Sequence, residues 1–274
     1  MPQAEDAYDT SKDEFRSHLG ASLLGRECAR EIWYSWRWTK VVTFEGRMLR
    51  LFNRGHLEEP RMMALLKIIG CDIWQYDDAG KQFRMHGYKG HYGGGLDGVC
   101  LGIPDIPAGM PVLTEFKTHN AKSFAKLVSE GVAKSKPEHY VQMNQYAGYY
   151  KLNASVYMAT NKDTDDIYAE IIPFDQANYH MYSDRAKRII ESPSPPPKIS
   201  RTPGWFKCRM CSYNKECHDK LSPLPTCRSC KWVSVEENGV WACNYYGGKY
   251  PLTKEQQRAG CPNYSIMPTF FDEV

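Results

Sequence analysis

Seven of the ten cysteines in this 274-residue chain fall between Cys208 and Cys261, while Cys28, Cys71 and Cys100 are scattered through the first 200 residues. The N-terminus, MPQAEDAYDTSKDEF, is acidic and polar, unlike the basic and apolar stretches of a secretory leader. Cysteines in a reducing cytosol are more often metal ligands than disulfides. The expectation is a cytoplasmic protein that holds metal near its C-terminus.

Hydrophobic residues make up 42% of the chain and charged residues 24%, a globular composition rather than a disordered or fibrous one. No run of 18 apolar residues exists, so no membrane-spanning helix is expected. Ser192-Pro-Ser-Pro-Pro-Pro197 reads as a stiff, extended connector. It suggests a body over 1–200, a cysteine cluster over 201–222 closing onto it, and a small zinc-ribbon-like module over 223–274. The net charge is only +3, but Lys198 to Lys231 holds eight basic residues against Glu216 and Asp219. Such a patch beside a metal module suits phosphate contact, and equally a solvated loop.

Hydrophobic spacing predicts helices over 14–38, 54–69, 123–135, 139–152 and 175–191. Strands are predicted over 72–76, 83–86, 96–101, 112–117, 155–160 and 168–173. That order describes an α/β chain with helices around one mixed sheet. The aromatic run Trp33, Tyr34, Trp36 and Trp38 is either helix core or a platform for unpaired bases.

The most informative stretch is Gly95-Leu-Asp-Gly98 followed by Leu113-Thr-Glu-Phe-Lys117. Strand periodicity puts Glu115 and Lys117 on one face. If the two segments pair as a hairpin, Asp97 approaches Glu115. Two carboxylates held together suit a hard divalent cation such as Mg²⁺. A lysine on the same face can orient an attacking water or offset charge in a phosphoryl transition state. Upstream, His56 opens a helical stretch and is a metal-ligand candidate, followed by Glu58 and Glu59, one of which could face the metals, although a solvated helix face is the better reading. Downstream, Gln142 and Tyr146 share a helix face. His119 and His139 read as surface or cap histidines, and Cys71 and Cys100 as core thiols.

The ordered set His56, Asp97, Glu115-Phe-Lys117 and Gln142-xxx-Tyr146 resembles the PD-(D/E)XK nuclease superfamily, in its RecB-like and lambda-type phage exonuclease branch. The resemblance covers roughly residues 18–220, with Gly-Leu-Asp97 in place of the name-giving Pro-Asp. It implies a restriction-endonuclease-like core, a central mixed sheet flanked by helices. It also implies His56, Asp97, Glu115 and the Phe116 carbonyl as ligands of Mg²⁺ or Mn²⁺. Lys117 would be the catalytic lysine and Gln142 and Tyr146 its supporting helix motif. The activity implied is a metal-dependent deoxyribonuclease, most simply an exonuclease at DNA ends in recombination, repair or phage genome processing. Its partners would be DNA and a recombination or replication protein. The rival reading is a non-catalytic nucleic-acid-binding or partner-recruiting module on the same scaffold.

Two cysteine sets remain. Cys208-x2-Cys211-x5-Cys217 carries the CxxC step of a metal knuckle. Its fourth ligand is either His218, giving a zinc site, or Cys28. The resemblance implies Cys28, with one N-terminal and three C-terminal cysteines around a [4Fe–4S] cluster. Cys227-x2-Cys230, with Cys243 and Cys261 following, suits a tetrahedral structural Zn²⁺. Polarity of digestion, strand preference and oligomeric state are not written in these motifs.

Overall fold

A computed structural model describes residues 15–271 of the chain. Two compact units emerge. One is built from Phe44–Met85 and Gly94–Tyr182, and the other from the described parts of Asp13–Thr43, His86–Gly93 and Ser183–Val274.

The second unit opens with β1 (Leu19–Gly20), a 3-10 turn at Ala21–Leu23, and α1 (Ala29–Trp36). These replace the single helix expected over 14–38, of which Glu14 lies outside the described residues. Gly20 and Gly25 disfavour helix, and Cys28 caps α1, its sulfur accepting the Glu31 amide at 3.4 Å. Trp33, Tyr34, Trp36 and Trp38 are all buried. Trp36 packs on Trp241 with ring centroids 4.6 Å apart, so this run is core and not a base-stacking platform.

In the first unit α2 (Gly46–Ile68) starts eight residues before the expected Arg54 and runs through Pro60. Proline has no N–H to give the His56 carbonyl one turn back. Then come β2 (Asp72–Trp74), β3 (Arg84–Gly87), β4 (Tyr92–Gly95), β5 (Gly98–Leu101) and β6 (Val112–His119). Next are α3 (Ala121–Ser135), α4 (Pro137–Tyr150), β7 (Ala154–Asn161), β8 (Ile167–Pro173) and α5 (Gln176–Glu191). Of these, β3, β4 and α5 have residues in both units. Asn120 starts α3 by accepting the Ser123 amide at 2.8 Å, and Pro137 starts α4 with the ring geometry suited to a first turn.

Five strands form one mixed sheet in the order β2-β5-β6-β7-β8. Only β6 and β7 run parallel, and α3 and α4 supply the crossover that a parallel pair needs. Every residue of β7 is buried, as an interior strand of a covered sheet requires. Met62 and Leu66 of α2 pack on Ile73, Phe116, Val156 and Met158. Cys71 and Cys100 belong to the same core. At about 25 cal/mol per Å², each large side chain fully buried there contributes roughly 1.5–3 kcal/mol.

The rest of the second unit comprises α6 (Phe206–Arg209), α7 (Asn214–His218), β9 (Val233–Val235), β10 (Trp241–Cys243), β11 (Tyr250–Pro251) and α8 (Lys254–Ala259). β9 and β10 form a hairpin around Glu237–Gly239, and β11 adds antiparallel to β10. The basic segment departs from expectation at Arg228, which is 1% exposed. Its guanidinium lies 3.6 Å from the Trp38 ring centroid. It donates to the Ser17 carbonyl at 2.8 Å, the Trp36 carbonyl at 3.3 Å and Gln257 Oε1 at 2.8 Å. Arg228 is therefore an internal strut and cannot meet a phosphate. Among the described residues no helix is long and apolar enough to cross a membrane.

Candidate active site

The site is assembled by one antiparallel pairing inside the first unit. β5 and β6 pair with Gly98 opposite Thr114, so Asp97, at the bend before β5, reaches the start of the Glu115-Phe-Lys117 run. Asp97 Oδ2 accepts the Phe116 amide at 2.8 Å and stands 3.9 Å from Lys117 Nζ. Phe116 enters the core behind the strand, which turns its two neighbours to the other face. There Lys117 donates to Glu115 Oε1 and to the Phe116 carbonyl at 3.2 Å.

Glu115 is fully buried, and its Oε2 has no hydrogen-bond partner among the described residues. An unsatisfied buried carboxylate oxygen is expensive to keep, so it marks a place where a positively charged or donating group would be stabilised. Burial, then the charges on Asp97 and Glu59, push the Glu115 carboxyl up to about 7, with Lys117 pulling the other way. Burial would lower Lys117, but Glu115, Asp97 and Glu59 outweigh it and hold the ammonium above its ordinary value. Both members of the pair are therefore raised. The cause is stoichiometric: three carboxylates share one ammonium, so the lysine is held charged while the most buried carboxylate is left short of compensation.

Glu59 is the third member. Burial first, then Asp97, raises its carboxyl, against its hydrogen bond from His56. It is only partly exposed, and Glu58 is buried at 6%, so these two do not form the solvated face expected. His56 itself is exposed and joins the cluster through Glu59, Nδ1 to Oε1 at 3.3 Å. The clue in the sequence was the spacing of three between His56 and Glu59, which places them on one helix face.

Gln142 and Tyr146 are both buried on α4. The Tyr146 hydroxyl presses on the backbone at Gly94, where a Cβ would stand 2.2 Å from it. Gly94 is thus used for close approach of a tyrosine, and Gly95 for that of Gln82, whose Oε1 would stand 2.7 Å from a Cβ there. His119 is buried, and His139 is half-buried in the first turn of α4. His119 Nε2 and His139 Nδ1 meet the Tyr157 hydroxyl at 2.8 and 2.9 Å, and Tyr157 pairs with Glu115 across β6 and β7. Burial and then Lys136, Lys117 and Lys162 push His119 down to about 4, so it is neutral near pH 7.

The carboxylate donor set suits a hard divalent cation, and the orphaned Glu115 Oε2 supports that fit. The side chains are not drawn together as they stand, because Lys117 occupies Glu115 Oε1 and the Phe116 amide occupies Asp97 Oδ2. Accordingly, no group of three or more His, Cys, Asp or Glu among the described residues is arranged to hold an ion. In the second unit, Cys208, Cys211 and Cys217 each sense the charge on Cys28, after the larger effect of burial, which raises all three thiols. His218 is governed by burial, then Lys198, Asp219 and Arg30.

No protein-family model and no curated protein matches the chain. Among solved structures, the crystal structure of SSO0001 is similar with a TM-score of 0.43 at 16% identity, over 80% of this chain and 93% of that one. The crystal structure of an alkaline exonuclease, LHK-Exo, from Laribacter hongkongensis is similar with a TM-score of 0.46 at 16% identity, over 63% and 86% of the two chains. Its complex with dAMP gives 0.46 at 14% identity over the same shares. At such scores and identities the likenesses say nothing of activity.

Proposed function

We propose that the chain is a metal-dependent deoxyribonuclease, acting at DNA ends. The observation that carries this reading is the fully buried Glu115, with an unpartnered carboxylate oxygen, between Lys117 and Asp97. Asp97 and Glu115 would hold Mg²⁺ or Mn²⁺, with the Phe116 carbonyl, Glu59 and His56 as the remaining donors to be assigned. When bound, that cation supplies Lewis acidity and eases ionisation of a water. Lys117 stays protonated beside its carboxylates and offers positive charge to a phosphate oxygen. The Asp97 bond to the Phe116 amide holds the metal-binding carboxylate in register with β6. Gln142 and Tyr146 line the supporting helix face.

On the same reading, Cys28 joins Cys208, Cys211 and Cys217 around a [4Fe–4S] cluster with a structural role. A Cys28→Ala protein that kept its full iron content would exclude this assignment.

The activity test uses end-labelled duplex and single-stranded DNA with Mg²⁺ or Mn²⁺. Wild type should degrade the DNA, and Lys117→Ala and Asp97→Ala should each be slower by roughly 100-fold or more. DNA that is bound but left intact by wild type would instead support the non-catalytic module.

A further inference from the structure

The proposed activity does not use the last four cysteines, and their placement carries a separate conclusion. Cys227, Cys230, Cys243 and Cys261 line one small cavity, together with the apolar side chains of Val233 and Leu252. They reach it from three stretches of chain, and ordinary backbone structure brings each one there.

Cys227 and Cys230 flank a tight 3-10 turn, closed by a hydrogen bond from the Cys230 amide to the Cys227 carbonyl at 3.1 Å. Cys243 ends β10, paired with Val233 of β9 and Tyr250 of β11. Cys261 follows Gly260, whose φ of +63° and ψ of −165° are open to glycine and strained for any other residue. A Cβ at Gly260 would stand 2.2 Å from the Pro225 carbonyl. That close approach lays the chain before Cys261 against the chain before Cys227. A second tie holds the same two stretches, since the Lys231 amide donates to the Ser265 carbonyl at 2.8 Å.

We infer that these four cysteines form a thiolate site for one tetrahedral Zn²⁺ that fastens the C-terminal hairpin to the segment around Cys261. Four thiols facing one apolar cavity have no other partner set of comparable strength, and all four are free of disulfides. The side chains are not pre-assembled as they stand, and the Cys227 thiol points to the Gln256 carbonyl at 3.4 Å.

The full chain is purified without chelator, and zinc and iron are counted per protein. The expected result is about one zinc per chain, with four thiols titrated by a mercurial as that zinc is released. Cys208→Ser and Cys211→Ser should keep the zinc, whereas Cys227→Ser and Cys243→Ser should lose at least nine-tenths of it, roughly a tenfold drop in occupancy. Cys261→His should retain it and shift the absorption of the cobalt-substituted protein. Wild type that carries no zinc and takes up no tetrahedral cobalt overturns the site. So does zinc that survives in the Cys227 and Cys243 variants but leaves with Cys208 or Cys211. Should the serine variants fail to fold, the mercurial titration of wild type decides alone. None of these readings depends on DNA cleavage, so the zinc site and the nuclease can fail separately.

Discussion

Glu115 concentrates the cost of the candidate active site in one carboxyl. Its folded value of about 7 exceeds its ordinary 4.5 because of burial first, then Asp97 and Glu59. A carboxyl raised in this way binds its proton more tightly in the folded chain than in the unfolded one. Its contribution to stability is complete below about pH 4.5 and is lost as the pH rises through about 7. In metal-free buffer, Glu115→Gln should therefore be more stable than wild type above pH 7, by on the order of 1–3 kcal/mol. The gap should close toward pH 4.5, as read from denaturant midpoints. A gap that does not change with pH would show that the carboxyl is not raised. Gly94 gives a second prediction at this scale. Gly94→Ala pushes a methyl into the Tyr146 hydroxyl and should cost about 1–3 kcal/mol in thermal or denaturant unfolding. The pairing of Asp97 with the Glu115-Phe-Lys117 run was legible because a strand period of two leaves only one face for both charges. Glu59 was not, because the spacing on α2 says which residues share a face but not what that face meets.

At the scale of elements, the strands were easier to read than the helix boundaries. β6 and β7 are eight-residue strands, and they lie within two residues of where periodicity places them. α3 shows the opposite case. Its amphipathic spacing runs unbroken over 123–135, yet Gly131 has φ of +70° and ψ of 174° and interrupts the helix. The Val132 amide, freed there, donates to Glu170 Oε2 at 2.8 Å, and Glu170 also accepts from the Tyr168 hydroxyl at 2.7 Å. A glutamate on β8 thus restarts the helix, a long-range arrangement that no local pattern announces. Gly131→Ala should lose about 1–3 kcal/mol of stability from backbone strain, measured by chemical denaturation. Glu170→Ala should lose about 1–3 kcal/mol by leaving the Val132 amide unpaired. If Gly131→Ala matched wild type, the break in α3 would not be required by the fold.

For the molecule as a whole, the informative fact is how the chain is shared out. Residues 15–43 fold with 183–271, and most of what lies between forms the other unit. Composition, read along the chain, could show the proline connector and the cysteine-rich end but not this return. The contacts that make it are specific. Trp36 packs on Trp241, the Trp33 indole donates to the Ser192 carbonyl at 3.0 Å, and Arg37 donates to the same carbonyl at 3.0 Å. Cutting the chain after Glu191 removes the cover from three tryptophans. The shortened protein should bind a hydrophobic dye and aggregate, whereas the full chain should not.

Arg228, clamped between the Ser17 and Trp36 carbonyls and Gln257, also sets a clock on synthesis. The segment around Ser17 leaves the ribosome early, but the guanidinium and the amide it needs are made some 210 to 240 residues later. At about 5–20 residues per second, that is a wait on the order of 10 to 50 seconds. Through that interval Trp33 lacks Phe270, Trp36 lacks Trp241 and Trp38 lacks Arg228, so the nascent chain carries a partly uncovered indole cluster. During translation, the N-terminal segment is therefore where chaperone capture should concentrate.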